Sequence, residues 1–492
     1  MTEALVLALV GLPMVAAIPA WWSRGVVAVG LAWAAFGGAA AAGVALAVAV
    51  LAGGPVSAFG GTVVVDALGA YVLLVILAVA GLALGGSPRY VGHEIASGAL
   101  HPPDEGRYYA LFLTFVASLV AVPLFDNLGL LWVAIEATTI VSALLVGITR
   151  TPEAIEAAWK YLVLGTVGVG FALLATILAY ASSVGVLGES SDALAWTRLV
   201  SIAPALDPGL MRLAFVFALA GYGTKVGLVP FHTWLPDAHS QAPSPVSAVL
   251  SGASLAAALY ALVRFYLVAV GTLGPQMPAT LLVALGLLSL AVALPFMVAQ
   301  EDLKRLLAYS SVEHMGLLAL GIGFGGPVAI AGVILHVGLH GLLKAGLFLA
   351  AGELVQQYGT RRLARIRGGL RDAPEASGAL AVGILLLAGL PPSGIFITEF
   401  AIVVGGVLRG YGPAAAIAAL LLALSFVAVA FHGFRLLWGR PVPGITIRRP
   451  GRTTLAWLEV PLVAAAIVGV WVPAPLADVL ASVGSILGVR GG

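Results

Sequence analysis

Ionisable side chains stand inside stretches that are otherwise almost wholly apolar, and proton transfer is the chemistry they could do. Glu136 sits in LLWVAIEATTIVSALLVGI, Lys225 lies five residues before Pro230, and Glu399 follows Pro391. His336, His340 and Lys344 recur every fourth residue in VILHVGLHGLLKAGLFLAAGE, so they share one helical face, and Glu353 closes that stretch. Glu313 and His314 lie in the stretch that follows Lys304. At mid-bilayer such a group costs about 2.5 to 3.5 kcal/mol, so each requires a partner or a hydrated path. A carboxylate about 4 Å from a lysine interacts with it by about 4 kcal/mol at an effective dielectric near 20, so moving Glu136 relative to Lys225 would load or release a proton. A static ion pair that only specifies packing is the plainer reading of the same two residues. His336 and His340 could also ligate a metal, but no cysteine and no HExxH-type carboxylate completes a set, so no metal is expected. Arg264 and His432 read as side chains near helix ends that snorkel to the interface. The run of arginines from Arg361 to Arg371 reads as a solvated loop or a docking surface.

The elements that must hold these residues are membrane spans. The chain has 492 residues, 61% hydrophobic and only 9% charged, which excludes ordinary soluble domains and disorder alike. A formal net charge of +2 implies no nucleic-acid partner. Without a single cysteine there can be no thiolate-bound cluster and no disulfide, so redox chemistry would sit in another chain and no cofactor is expected in this one. Apolar stretches of about 17 to 25 residues follow one another almost without pause and predict about fourteen spans. Their starts are read near Ala4, Gly25, Asp66, Tyr109, Asn127, Glu156, Pro208, Ser244, Pro278, Leu303, Val328, Ala379, Pro413 and Leu455. The first lacks a basic leader and begins with Glu3, so it reads as a span and not as a secretory signal. Arg24, Arg89, Arg107, Arg150, Lys304, Arg305, the Arg361 to Arg371 run, Arg440, Arg448, Arg449 and Arg452 all fall in odd-numbered loops, with Arg198 and Arg409 as the main exceptions. The positive-inside rule then puts odd loops in the cytoplasm and both termini outside.

Two spans are broken, in GYGTKVGLVPFHTWLP and LLLAGLPPSGIFITEF. Proline removes an amide and clashes with the preceding turn, leaving carbonyls that lipid cannot satisfy. The two prolines lie 391 − 230 = 161 residues apart, or about five spans at roughly 30 residues per helix and loop. An odd repeat inverts its topology, and interrupted helices at matching places in inverted halves point to an ion path.

Five strings carry a family resemblance over nearly the whole chain. They are WVAIEATTIVSA around Glu136, GTKVGLVPFHTWLPDAHSQAPSPVSAVLSG from Gly223 to Gly252, LKRLLAYSSVEHMGLLALGIGFGG from Leu303 to Gly326, HGLLKAGLFLAAG around Lys344, and GLPPSGIFITEF ending at Phe400. In this order they resemble the antiporter-like, proton-conducting subunits of respiratory complex I and group 4 hydrogenases, and look most like the F component of hydrogenase-4-type complexes. The resemblance implies an all-α polytopic fold of fourteen helices with two inverted five-helix repeats. The expected division is 1–107 for the N-terminal helices, 108–270 and 271–440 for the repeats, and 441–492 for a C-terminal span. It implies that Glu136 and Lys225 match the first half's pair, that His336, His340 and Lys344 match the central axis, and that Glu399 matches the acid of the second broken helix. Ala256 stands where many relatives place a lysine, which leaves His232, His239 or water to carry protons between the halves, with His314 and Glu353 as further connecting positions.

The function expected is a proton-translocating, non-catalytic membrane subunit of a redox complex in a prokaryotic inner membrane. Its partners would be other membrane subunits and a peripheral redox module. A redox-independent cation/proton antiporter subunit, the proton-conducting partner of an inorganic-carbon uptake complex, and a structural anchor are the competing readings.

Overall fold

A computed structural model describes residues 1–440 and 455–488, so Arg448, Arg449 and Arg452 lie outside the described residues. Helices α1 (Thr2–Ala20), α2 (Gly25–Gly53) and α3 (Ala67–Ala96) lead the chain. The sequence from α4 (Asp104–Ala121) through α5 (Leu128–Val146) and α6 (Pro152–Leu187) passes a surface helix α7 (Trp196–Ile202) to a broken pair, α8 (Pro208–Val226) and α9 (Trp234–Gln241). It closes with α10 (Ser244–Val249) and α11 (Leu255–Leu273), one continuous span with a π-helical turn at Leu250–Ser254. The same order then recurs. Helices α12 (Gln276–Val298), α13 (Leu303–Phe324) and α14 (Gly326–Tyr358) precede a short α15 (Gly369–Asp372) and a second broken pair, α16 (Pro374–Leu387) and α17 (Gly394–Leu408), followed by α18 (Gly412–Trp438). Helices α19 (Leu455–Val470) and α20 (Ala474–Ile486) end the described chain.

Each of the fourteen starts read from hydropathy lies within five residues of a helix start. Among the described residues, however, only ten helices are by themselves long and apolar enough to cross a membrane. The shortfall has local causes. Asp104, Glu105 and Arg107 open α4, and the second break divides its span into pieces of 14 and 15 residues. One element is not helical at all. Strands β1 (Val56–Ala58) and β2 (Val63–Val65) pair antiparallel in the loop after α2, where Gly60 at φ 65° supplies the turn.

Polar residues set the helix starts. Asp66, Asn127, Thr151, Asp207, Asp302 and Ser393 each accept a backbone N–H in the first turn of the following helix, meeting donors that hydrocarbon would leave bare. Alternate connections gather on two faces. On the even-numbered one Val63 bridges Phe125 and Asn127 bridges Ala195; on the other Arg150 reaches Asp104 at 2.9 Å, and Asp302 bridges Arg362.

Small residues bring backbones together where apolar driving force between helices is absent. A Cβ at Gly221 on α8 would stand 2.4 Å from the Ala172 nitrogen of α6, and one at Gly405 on α17 would stand 2.5 Å from the Ala329 nitrogen of α14. Between the π-helical turn and α14, a Cβ at Gly252 would stand 2.7 Å from the Gly341 carbonyl oxygen. Since backbone cannot yield as a flexible side chain does, Gly221→Ala and Gly405→Ala should each destabilise by about 1 to 3 kcal/mol. A thermal melt of the purified protein in detergent checks this, and an unchanged midpoint would contradict the packing described.

Candidate functional site

Lys225 stands in the last turn of α8, just before Gly227 ends the helix in the left-handed conformation at φ 86°. The residue is 1% exposed, and its ammonium donates to Thr139 Oγ1 at 2.9 Å and Tyr161 OH at 2.5 Å. It also lies 4.9 Å from the centroid of the Tyr161 ring, which stacks on Trp234 of α9 at 4.4 Å. Tyr161 in turn bonds Ser142 at 2.8 Å. The anticipated close contact with Glu136 is not formed. Among the described residues the two make no ion pair, and Glu136 instead accepts from Thr166 Oγ1 at 2.9 Å. Glu136 is one helical turn before Thr139 on α5, so the carboxylate lies within electrostatic reach of the lysine while the hydroxyls hold the ammonium.

The histidines meet as their spacing suggests, with a third ring among them. His314 Nδ1 lies 3.0 Å from His336 Nε2, and His336 Nδ1 lies 2.8 Å from Thr398 Oγ1. Thr398 also donates to the Ile395 carbonyl at 2.8 Å. His340 is 5.3 Å, ring to ring, from His314. One turn on, the fully buried Lys344 donates to the Leu307 carbonyl at 2.7 Å and to Ser310 Oγ at 2.5 Å. Among the described residues, no set of three or more His, Cys, Asp or Glu side chains has the arrangement of a metal site.

Glu313 and Glu399 share a cavity of about 10 Å³ with Ser310, His314 and Ser425, enough for about one water. Glu399 packs its carboxylate against Gly389 in the second break and also lines a recess of about 370 Å³ between α17 and α18. It thus touches both an inner pocket and an open one.

His239 on α9 lies between the two clusters, 6.1 Å from the Trp234 ring and 5.6 Å from the Phe348 ring, and within electrostatic reach of both Lys225 and Lys344. His232 sits at the first break, 6.3 Å from the Tyr309 ring. Glu353 is not brought to the axis. It pairs with Arg89 at 2.8 Å and accepts from Gln357 at 2.8 Å, beside a separate cavity of about 20 Å³.

Several charges read as loop or interfacial residues are interior. Lys304 is buried in the first turn of α13 and donates to the Ala242 carbonyl at 2.5 Å. Arg264 does not snorkel: it is 0% exposed, paired with Asp66 at 2.6 Å and stacked on Trp196 and Tyr260. His432 is also buried and donates to the Met297 carbonyl at 3.1 Å. Within the arginine run, Arg361 is pinned to Ser240 and Gln241, whereas Arg371 is solvated. Sequence reasoning missed the hydroxyls of Thr139, Tyr161, Ser310 and Thr398, which hold the ionisable groups. Only Thr139, one turn from Glu136, could have been found from spacing.

Comparison with known proteins places this arrangement in a family. Residues 126–425 match the family described as NADH:quinone oxidoreductase/Mrp antiporter, TM. The chain is 43% identical over 314 residues, 64% of its length, to a hydrogenase-4 component F homolog of Methylacidiphilum infernorum, and the match spans 66% of that relative. It is 34% identical over 355 residues to NADH-quinone oxidoreductase subunit N of Desulforudis audaxviator, covering 71% of this chain and 68% of that one. In fold it is similar to a chain of the archaeal membrane-bound sulfane sulfur reductase, with a TM-score of 0.86, 22% identity and 98% of both chains covered. With both broken helices and every ionisable residue from Glu136 to Glu399 inside the matched region, the chain belongs to the NADH:quinone oxidoreductase/Mrp antiporter membrane family.

Proposed function

We propose that the chain is a proton-translocating membrane subunit of a respiratory redox complex of the hydrogenase-4 or NADH dehydrogenase type. The observation that carries this reading is the polar axis running from half-buried Glu136 and buried Lys225 past His239 to His314, His336, His340 and Lys344, all buried, and on to half-buried Glu399. Such groups are expensive in a bilayer unless paired or hydrated, and they mark ion and proton paths. The 3.0 Å His314–His336 contact is within reach for direct proton transfer, and Thr398 extends it to the helix bearing Glu399. The breaks at Pro230 and Pro391 flank the axis at both ends and supply backbone groups free of helical partners. Against 100 mV each proton costs about 2.3 kcal/mol, comparable with what one charge rearrangement in such a site supplies.

In this reading residues 108–270 and 271–440 are the inverted repeats, with fourteen crossings and both termini outside the cytoplasmic membrane. Other membrane subunits and a peripheral redox module are the partners. The naming of the family for Mrp antiporters as well as quinone oxidoreductases favours one second reading, a cation/proton antiporter subunit that works without electrons. Co-purification separates the two: iron–sulfur subunits accompany the first.

In the reconstituted complex, Lys225→Ala, Glu136→Gln and Lys344→Ala should each lower protons moved per electron, read from dye quenching against donor oxidation. Unchanged stoichiometry in all three would end the proposal. Tyr161→Phe leaves the Lys225 ammonium short of one buried hydrogen bond and should destabilise by about 1 to 3 kcal/mol. In Lys225→Met the same change should cost less, because only the Ser142 bond is then lost, and a double-mutant thermal cycle with no coupling would contradict the contact.

A further inference from the structure

The face of α11 that begins at Ala256 continues through Tyr260 to Arg264, four residues apart each time. On the even-loop side of this face lies a polar cleft of about 660 Å³, lined by Asp126, Asn127, Thr197, Arg198 and Ser201 among others and roomy enough for water. Behind this lining lies Trp196, 6% exposed, whose neighbours Ala195 and Thr197 face the cleft and whose indole donates to the Phe125 carbonyl at 3.2 Å. Directly beneath, the Arg264 guanidinium is 3.7 Å from the Trp196 ring centroid and 4.6 Å from that of Tyr260. Asp66 holds it at 2.6 Å, and Asp66 is itself fixed as the N-cap of α3 by Gly69 N–H at 2.9 Å.

Below Tyr260 comes a second space of a different kind. A cavity of about 30 Å³ is lined by Ala256, Tyr260, Val263, Val333 and Val337 among others. Its two phenols point their hydroxyls at carbonyls, Tyr71 to Ile334 at 2.7 Å and Tyr260 to Pro123 at 3.5 Å. A water there would find almost no polar partner, so the space stays dry. Val333 and Val337 belong to α14, whose His336 and His340 stand on the central axis. Three layers therefore separate the cleft from the axis: an aromatic side chain, a fixed cation, and an apolar gap.

We propose that Arg264, locked by Asp66 between Trp196 and Tyr260, bars proton passage between the even-loop cleft and the central axis. The guanidinium keeps its proton under all working conditions, so it cannot take part in a relay, and its 2.6 Å contact occupies the Asp66 carboxylate beside it. Trp196 and Tyr260, 6% and 2% exposed, close over it from two sides. Ala256 completes the barrier by offering no titratable step on the far side. The inference rests on the proton-translocating reading above and adds to it that protons loaded at Lys225 do not leave along α11.

The test is passive proton entry into pyranine-loaded proteoliposomes of the whole complex, under a potassium–valinomycin potential and without electron donor. Asp66→Asn with Arg264→Gln removes both charges together and should raise the leak severalfold, while donor oxidation continues at its usual rate. Trp196→Leu keeps the ion pair but removes the indole and should give a smaller rise. No rise in an assembled double variant would overturn the proposal, and should that variant fail to assemble, no rise with Trp196→Leu would overturn it as well. Lys225→Ala in the same vesicles keeps the two ideas apart: lost pumping there beside an unchanged leak in the pair variant removes the barrier alone.

Discussion

Hydrocarbon offers no hydrogen bonds, so an ammonium, imidazole or carboxylate inside this protein must find its partners within the protein or in water that the protein admits. Lys225 meets that demand with two hydroxyls, Lys344 with a hydroxyl and a backbone carbonyl, and Lys304 with a backbone carbonyl. None of these three is closed by a carboxylate in direct contact among the described residues. Neutral partners serve a lysine in either of its charge states, since a hydroxyl can donate as well as accept. A tight carboxylate contact would favour the charged state alone. Holding acids one step away keeps the electrostatic coupling and leaves the lysines free to change state.

The two breaks serve the same constraint from the backbone side. The interior of an intact helix satisfies its own carbonyls, and only its ends have any to spare. Where α8 gives way to α9 and α16 to α17, backbone groups become available beside Lys225 and Glu399, in positions a straight span would fill with side chains. Close packing at Gly221, Gly405 and Gly252 holds the surrounding helices firm, so that the irregular segments are framed by rigid ones.

Much of this was legible in the residues. Hydropathy placed the helix starts, and Gly and Pro placed both breaks, because span length and the lost amide are local properties. The spacing of His336, His340 and Lys344 was enough to put them on one face. What local pattern could not supply was the identity of the neighbours. Lys225 and Glu136 are chemically an obvious pair, yet Thr139 and Tyr161 take the lysine, because the crossing of α5, α6 and α8 decides which group arrives first. Arg264 and Lys304 were misread for a related reason. Distance from a span's end says nothing about whether another segment, here at Trp196 or Ala242, folds back over it. The β1–β2 hairpin was hidden in the same way, since three-residue strands leave almost no alternation to read.

The contacts of Thr398 have a directional meaning. A threonine hydroxyl has one hydrogen, and Thr398 gives it to the Ile395 carbonyl, which can only accept. Toward His336 it is then left as an acceptor, so the neutral ring carries its hydrogen on Nδ1 and presents a bare Nε2 to His314. That requires His314 to donate from its own Nδ1. The whole string is thereby polarised at rest, pointing from α13 through α14 into α17, and it ends on a carbonyl that cannot pass a proton on, so a proton could go beyond Thr398 only if that hydroxyl first turned away from Ile395.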